Sequence, residues 1–254
     1  MVSPTVAAAA PAVFPNAPIT EALLDIRVRL PVGTELAKLG ALHEKISAEY
    51  PIRKERNAME AGVHFGPGGS VSMVPPSSRV DGYLFTSADG RQIVQARLDG
   101  FTANRLKPYR DWGTFRDEAR RHWDLYIRQV SPEAVSRIAL RYINRIDIPL
   151  PFADFKEYVL TTPEVAPGLP QGLATFFMRL VLPLEAFGCV AVITETLEEP
   201  KAEAVPYILD IDVFSQRHFS PDDEEMWRTF ETLRLAKNEV FFKSVTPRAQ
   251  ELFQ

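Results

Sequence analysis

Arginines and carboxylates recur two and four residues apart in the run SRIALRYINRIDIP, where Arg137, Arg141, Arg145 and Asp147 interleave with apolar side chains. A guanidinium is planar and grips a carboxylate or phosphate through two parallel hydrogen bonds, so such a row suits docking of an acidic partner or of phosphates. Glu21, Asp25 and Arg27 repeat the spacing near the N-terminus, and Asp210 and Asp212 repeat it near the C-terminus. Asn144 stands out differently, because it shares its side with Ile138, Leu140, Tyr142, Ile146 and Ile148. A buried amide without partners costs roughly 1–3 kcal/mol, so Asn144 is expected to bond to backbone, to water or to a ligand.

A period of two is the mark of a β-strand, whose successive side chains point to opposite faces. Residues 19–30 show it plainly: Ala22, Leu24, Ile26, Val28 and Leu30 alternate with Glu21, Asp25, Arg27 and Arg29. Thr34 is the expected N-cap of a helix striped by Leu36, Leu39, Leu42, His43 and Ile46. Short strands near 58–65 and 71–74, joined by GPGG, precede a hairpin whose Asp89-Gly90 dipeptide supplies the positive φ angles of a tight turn. A second helix carries Trp112, Phe115, Ala119, Trp123, Tyr126, Ile127 and Val130 on one stripe. After the arginine-bearing strand come a short helix near 152–160, a proline-rich loop, and strands near 173–182, Cys189–Leu197 and 207–214. The last helix is expected to start from a Ser220 cap with Pro221 at its first position, and to run through Met226, Trp227, Phe230, Leu233 and Val240 to about Phe242.

Written as elements, the two halves repeat an order, and "EALLDIRVRLPVGTELAKL" aligns with "SRIALRYINRIDIPLPFADFKEY" at the strand, proline and helix junction. The expected fold is α+β: duplicated β-α-β-β-β-α units, about 13–132 and 133–254, sharing a broad antiparallel sheet with two long helices packed on one face. Residues 1–12 are read as a flexible tail and 13–254 as one domain.

Three segments together carry a resemblance: "FPNAPITEALLDIRV", "LRYINRIDIP", and the aspartate-rich, Trp-containing last helix running into "FFKSVTPRAQELF". Over residues 14–253 the chain resembles the bacterial family of sporadically distributed proteins. The resemblance implies no catalytic or binding residues to transfer. The patchy distribution of that family implies horizontally moved genes, and with them mobile-element, toxin-antitoxin or defence roles.

On the charged side of the sheet the spacing gathers Arg97 with Gln95, Arg137, Arg141, Arg145, Arg179, Glu195, Asp210 and Asp212, with Leu23, Ile143, Phe177 and Phe214 as apolar anchors among them. That mixture is expected of an interface, and its plain counterpart is a solvated face of cross-strand ion pairs. The binding residues taken from this reading are Arg97, Arg137, Arg141, Asn144, Arg145, Arg179, Asp210 and Asp212. The function expected is a non-catalytic protein-binding or oligomerising module, with a protein partner or a second copy of the chain and with no cofactor. The alternative is an enzyme in which the arginines hold a phosphate or nucleotide and Glu21, Asp25, Asp210 or Asp212 hold Mg²⁺. No Walker loop, nucleotide-binding glycine fingerprint or HExxH motif occurs in the sequence.

The remaining features restrict the classes. A formal charge of −4 and no long Lys/Arg block argue against general nucleic-acid binding. Arg116, Arg120, Arg121 and Arg128 on the second helix read as a solvated face, and "DDEE" at 222–225 as helix-start electrostatics. His43, His64, His122 and His218 are scattered without metal-ligand spacing. No run of about 18 apolar residues exists to cross a membrane, and the N-terminus lacks the basic start of a signal peptide. Cys189, the one cysteine, lies in the apolar run GCVAVI and reads as a small buried hydrophobe in a cytoplasmic protein.

Overall fold

A computed structural model describes residues 14–65 and 71–254, and the side chains of these outside 59–77. The tail expected at 1–12 and the GPGG turn lie outside the described residues. In chain order the elements are β1 (Ile19–Arg29), α1 (Leu36–Ile46), β2 (Ile52–Phe65), β3 (Val71–Thr86), β4 (Gln92–Arg97), β5 (Gly100–Leu106) and α2 (Trp112–Val130). They continue with β6 (Ala134–Pro149), β7 (Phe177–Leu184), β8 (Cys189–Leu197), β9 (Ala204–Ser215), α3 (Glu224–Ser244) and α4 (Pro247–Glu251).

The fold is α+β, and the described residues build one antiparallel nine-stranded sheet in the order β2-β3-β4-β5-β1-β6-β9-β8-β7. Outward from the central β1/β6 pair, one wing runs β5, β4, β3, β2 and the other runs β9, β8, β7. Ile26 stands opposite Phe101 on one side and Ile138 on the other, while Leu24 stands opposite Ala103 and Leu140. All these residues are buried, so β1 sends Ala22, Leu24, Ile26 and Val28 into the core. Each large apolar side chain buried there contributes about 1.5–3 kcal/mol, whereas an exposed cross-strand ion pair contributes about 0.2–1 kcal/mol. The oily side therefore sets the register, and a slip of one residue would turn Asp25 and Arg27 inward. Trp123 of α2 meets Phe101 edge-on at 5.9 Å, and Lys237 of α3 lies 4.0 Å from the centre of the Tyr142 ring.

Several local expectations need correction. Thr34 does not cap α1; its hydroxyl bonds to the Pro31 carbonyl, and Glu35 occupies the cap position without a side-chain bond. In the β3–β4 hairpin Gly90 has φ +73°, and Asp89 instead accepts from the Ser87 hydroxyl and the Arg91 N–H. The strands read as short ones near 58–65 and 71–74 are the two arms of one long hairpin. Pro75 and Pro76 fall where the β2/β3 register shifts between Glu60 and Gly62, a bulge that frees them from donating to the ladder. β5 was not expected at all. The expected helix at 152–160 shrinks to a single 3₁₀ turn at Phe155–Glu157, because the following chain is drawn against the end of α3: Leu160 N–H donates to Ser244, and Thr246 N–H to Tyr158. β7 begins at Phe177, with residues 173–176 outside it. The last helix starts three residues late for a Ser220 cap: Asp223 caps it by accepting from Glu225 N–H. Pro221 instead offers its carbonyl to the Trp123 indole at 2.9 Å.

Candidate binding face of the sheet

Because β1, β6 and β9 pair in register, Asp25, Arg137 and Arg141 come together with Asp210 and Asp212 on the face away from the core. Asp25 is the hub. Its Oδ1 accepts from Arg97 and from the Thr102 hydroxyl, both at 2.7 Å, and its Oδ2 accepts from Arg27 at 3.1 Å and Arg137 at 3.4 Å. Burial works to raise the Asp25 carboxyl, but the charges of Arg97 and Arg27, with the Thr102 hydroxyl, hold it below the usual carboxylate range. Arg97 is only 4% exposed and also donates to Thr102 at 2.8 Å, so it is a buried strut of the face and not a free hand.

Arg137 bridges Asp25 to Asp212 at 3.1 Å and lies over the Phe214 ring at 4.5 Å. Burial pushes the Asp212 carboxyl up against the pull of Arg137 and Arg141, and its Oδ1 is buried without a hydrogen-bond partner among the described residues. Arg141 grips Asp210 from two nitrogens, at 2.9 Å and 2.5 Å, with its side chain 46% exposed. Arg145 reaches Asp147 at 3.0 Å and Glu198 at 3.1 Å. Leu23, Gln95 and Ala139 line a concavity of about 410 Å³ together with Asp25, Arg137, Arg141 and Asp212.

Arg179 falls on the same face, its register running through Thr194 to Asp210, but it stands out on the terminal strand and has no ion-pair partner among the described residues. Glu195 does not belong to this face. In CVAVITETL it shares parity with Ala191 and Ile193, so it faces the core, is 1% exposed, and accepts from the Tyr207 hydroxyl at 2.8 Å. Burial raises its carboxyl to about 7. Asn144 also lies on the core side, where its amide donates to the backbone carbonyls of Leu209 at 3.0 Å and Tyr142 at 3.3 Å.

Sequence reasoning missed Thr102, Asn104 and Asp99, which complete the network: Asn104 donates to Glu21 at 2.6 Å and accepts from Gln95 at 3.0 Å, and Asp99 pairs with Arg27 and lies 3.0 Å from Arg97. The signal was the alternation of Phe101, Ala103 and Arg105 with Thr102 and Asn104 in GFTANRL. Three of the α2 arginines that read as a solvated face also pair, Arg116 with Asp117 and Glu231, Arg120 with Glu224, and Arg121 with Glu49. Among the described residues no group of three or more His, Cys, Asp or Glu side chains gathers as a metal site, and no helix is long and apolar enough to cross a membrane. Compared with known proteins, the chain matches no family model and no curated protein.

Proposed function

We propose that this protein works by binding and not by catalysis, as an oligomerising module whose partner is a second copy of the chain. One observation carries the reading. Among the described residues β7 ends the sheet and pairs only with β8, and it exposes Phe177 at 72%, Val181 at 54% and Leu182 at 40%. A strand with an open edge and protruding apolar side chains is a template for another strand. Two copies related by a two-fold axis satisfy each other's open backbone groups through antiparallel β7 pairing, a self-complementary contact that closes at two subunits. Phe177, Arg179 and Val181 lie on the polar face, so the pairing would join two polar faces into one surface. The enzyme alternative has less support, since Asp25, Asp210 and Asp212 are already engaged by arginines where Mg²⁺ would need them.

The same reading takes the chain as a duplicated single domain. The matching outward orders of the two wings support it, as do the contacts of α2 with Phe101 and of α3 with Tyr142, residues that register with Ile26 and Ala22 on one side of the sheet. The buried free thiol of Cys189 supports a cytoplasmic setting, and the resemblance to the sporadically distributed family supports a place in a mobile defence or toxin-antitoxin locus.

Sedimentation velocity at high micromolar concentration tests the central claim. The wild-type chain should sediment as a dimer, and Phe177→Asp combined with Val181→Lys should sediment as a monomer with a melting temperature within a few degrees. A monomeric wild type refutes the proposal.

A further inference from the structure

On the core side of the sheet, away from the proposed dimer edge, a cavity of about 210 Å³ opens between α3, β6 and the residues leading into α2. That is about seven liquid-water volumes, room for one ring and a short substituent. Its apolar wall includes Phe14, Ile19, Trp112 and Phe241. Lys237 of α3 and Tyr142 and Asn144 of β6 also line it, with the Lys237 Nζ 4.0 Å from the centre of the Tyr142 ring. The Lys237 ammonium sits over the Tyr142 ring, and among the described residues no carboxylate pairs with it.

The other titratable groups on the wall do not neutralise it. Arg110 and Arg234 add positive charge, and Arg234 is 3.8 Å from Glu231. Asp111 is engaged as the cap of α2, accepting from Thr114 N–H at 2.8 Å and its hydroxyl at 2.9 Å. Tyr109 and Tyr142 bond to each other at 3.0 Å, and burial raises both phenols, Tyr109 to about 12, so neither supplies an anion near neutral pH. Burial, with the nearby Arg234, lowers the Lys237 amine to about 7. A half-hidden amine with no counter-ion among the described residues, on the wall of an aromatic pocket, lacks the negative charge that would make its ammonium form favourable.

We propose that this cavity binds a small arylcarboxylate, with the ring against Trp112 and Phe241 and the carboxylate on Lys237. The bound anion supplies the missing charge and restores the ammonium, which then gains the Tyr142 ring face as a second partner. Asn238 offers a neutral hydrogen-bonding group on the same wall, whereas the Asn144 amide N–H groups are already given to the Leu209 and Tyr142 carbonyls.

Isothermal titration of the full chain with phenylacetate, benzyl alcohol and inorganic phosphate tests the assignment. Phenylacetate should bind, and benzyl alcohol and phosphate should bind at least about tenfold more weakly, as expected when both ring and charge contribute. Because Lys237 must be protonated to pair, and its amine titrates at about 7, the affinity for phenylacetate should fall about tenfold from pH 6 to pH 8. Lys237→Met should abolish binding of the acid. Absent heat at pH 6, equal binding of phosphate, a flat pH profile, or full affinity in the folded Lys237→Met variant would each overturn the proposal. Should that variant fail to fold, acetylation of the wild-type chain read by mass spectrometry decides: phenylacetate should slow modification of Lys237 and leave Lys243 unchanged. Lack of protection, or lack of any modification at Lys237, overturns the assignment.

Discussion

Replacing Glu195 by glutamine isolates one buried ionisation and gives it a sign. Glu195 is 1% exposed among Tyr207 and the aromatic side chains around it, and burial raises its carboxyl from 4.5 to about 7. The folded chain thus holds a proton between those values that the unfolded chain has released. A folded pKa above the unfolded one means that the contribution to stability is fully present below pH 4.5, shrinks as pH rises, and levels off above 7. Between pH 5 and pH 8 the wild-type protein should lose about 2 kcal/mol through this group alone, one pKa unit being worth about 1.4 kcal/mol. For a chain of this size that is about 4–8 °C in melting temperature. The Glu195→Gln variant keeps an oxygen to accept the Tyr207 hydroxyl but cannot ionise at that position. Circular-dichroism melts of both proteins at pH 5 and pH 8 should therefore show the difference, variant minus wild type, growing by about 4–8 °C toward high pH, with all other titrations cancelling. Parallel pH profiles would show that Glu195 ionises as an ordinary surface carboxylate, and would refute the core-side placement on which the reasoning rests.

Asp25→Asn leaves the guanidinium of Arg97, 4% exposed, with the half-exposed Asp99 as its one remaining counter-charge among the described residues. Removing one partner of a buried pair costs about 3–5 kcal/mol, so the urea midpoint should drop markedly, and an unchanged midpoint would mean the network is not structural. Gly82→Ala places a Cβ 2.3 Å from the Ala96 carbonyl oxygen and 2.9 Å from the Arg97 Cα, both backbone atoms that cannot step aside. β3 and β4 must separate there, and a melting temperature within about 2 °C of wild type, equivalent to under about 1 kcal/mol, would contradict the close approach.

Alternation was legible wherever a strand buries one face, as in β1, β6 and β8, because a period of two survives any tertiary arrangement. Hence Arg137, Arg141, Arg145, Asp210 and Asp212 could be placed on one side from the sequence, and Asn144 on the other. Glu195 was expected on the charged face, but its parity with Ala191 and Ile193 in CVAVITETL puts it in the core, and a count along that strand would have shown it. Element ends were less legible. Ser220 and Asp223 are both chemically able to cap a helix, and the choice fell to Asp223 because Phe219 is held in a bridge to Val135 and Pro221 receives the Trp123 indole. The helix expected at 152–160 lost to extended contact with the end of α3, a competition between segments far apart in the chain that no local propensity records.

By itself, then, the amino-acid order determined which residues face oil and which face charge along each strand, since that depends only on the two-residue period and on the free energy of apolar burial. Tertiary structure alone decided which strands are neighbours. That choice set the partners of Asp25, put β7 at the end of the sheet with Phe177 exposed, and laid Lys237 over Tyr142 with no counter-ion among the described residues. Pairing and burial of charge are properties of residues distant in sequence, brought together only when the sheet closes around β1 and β6.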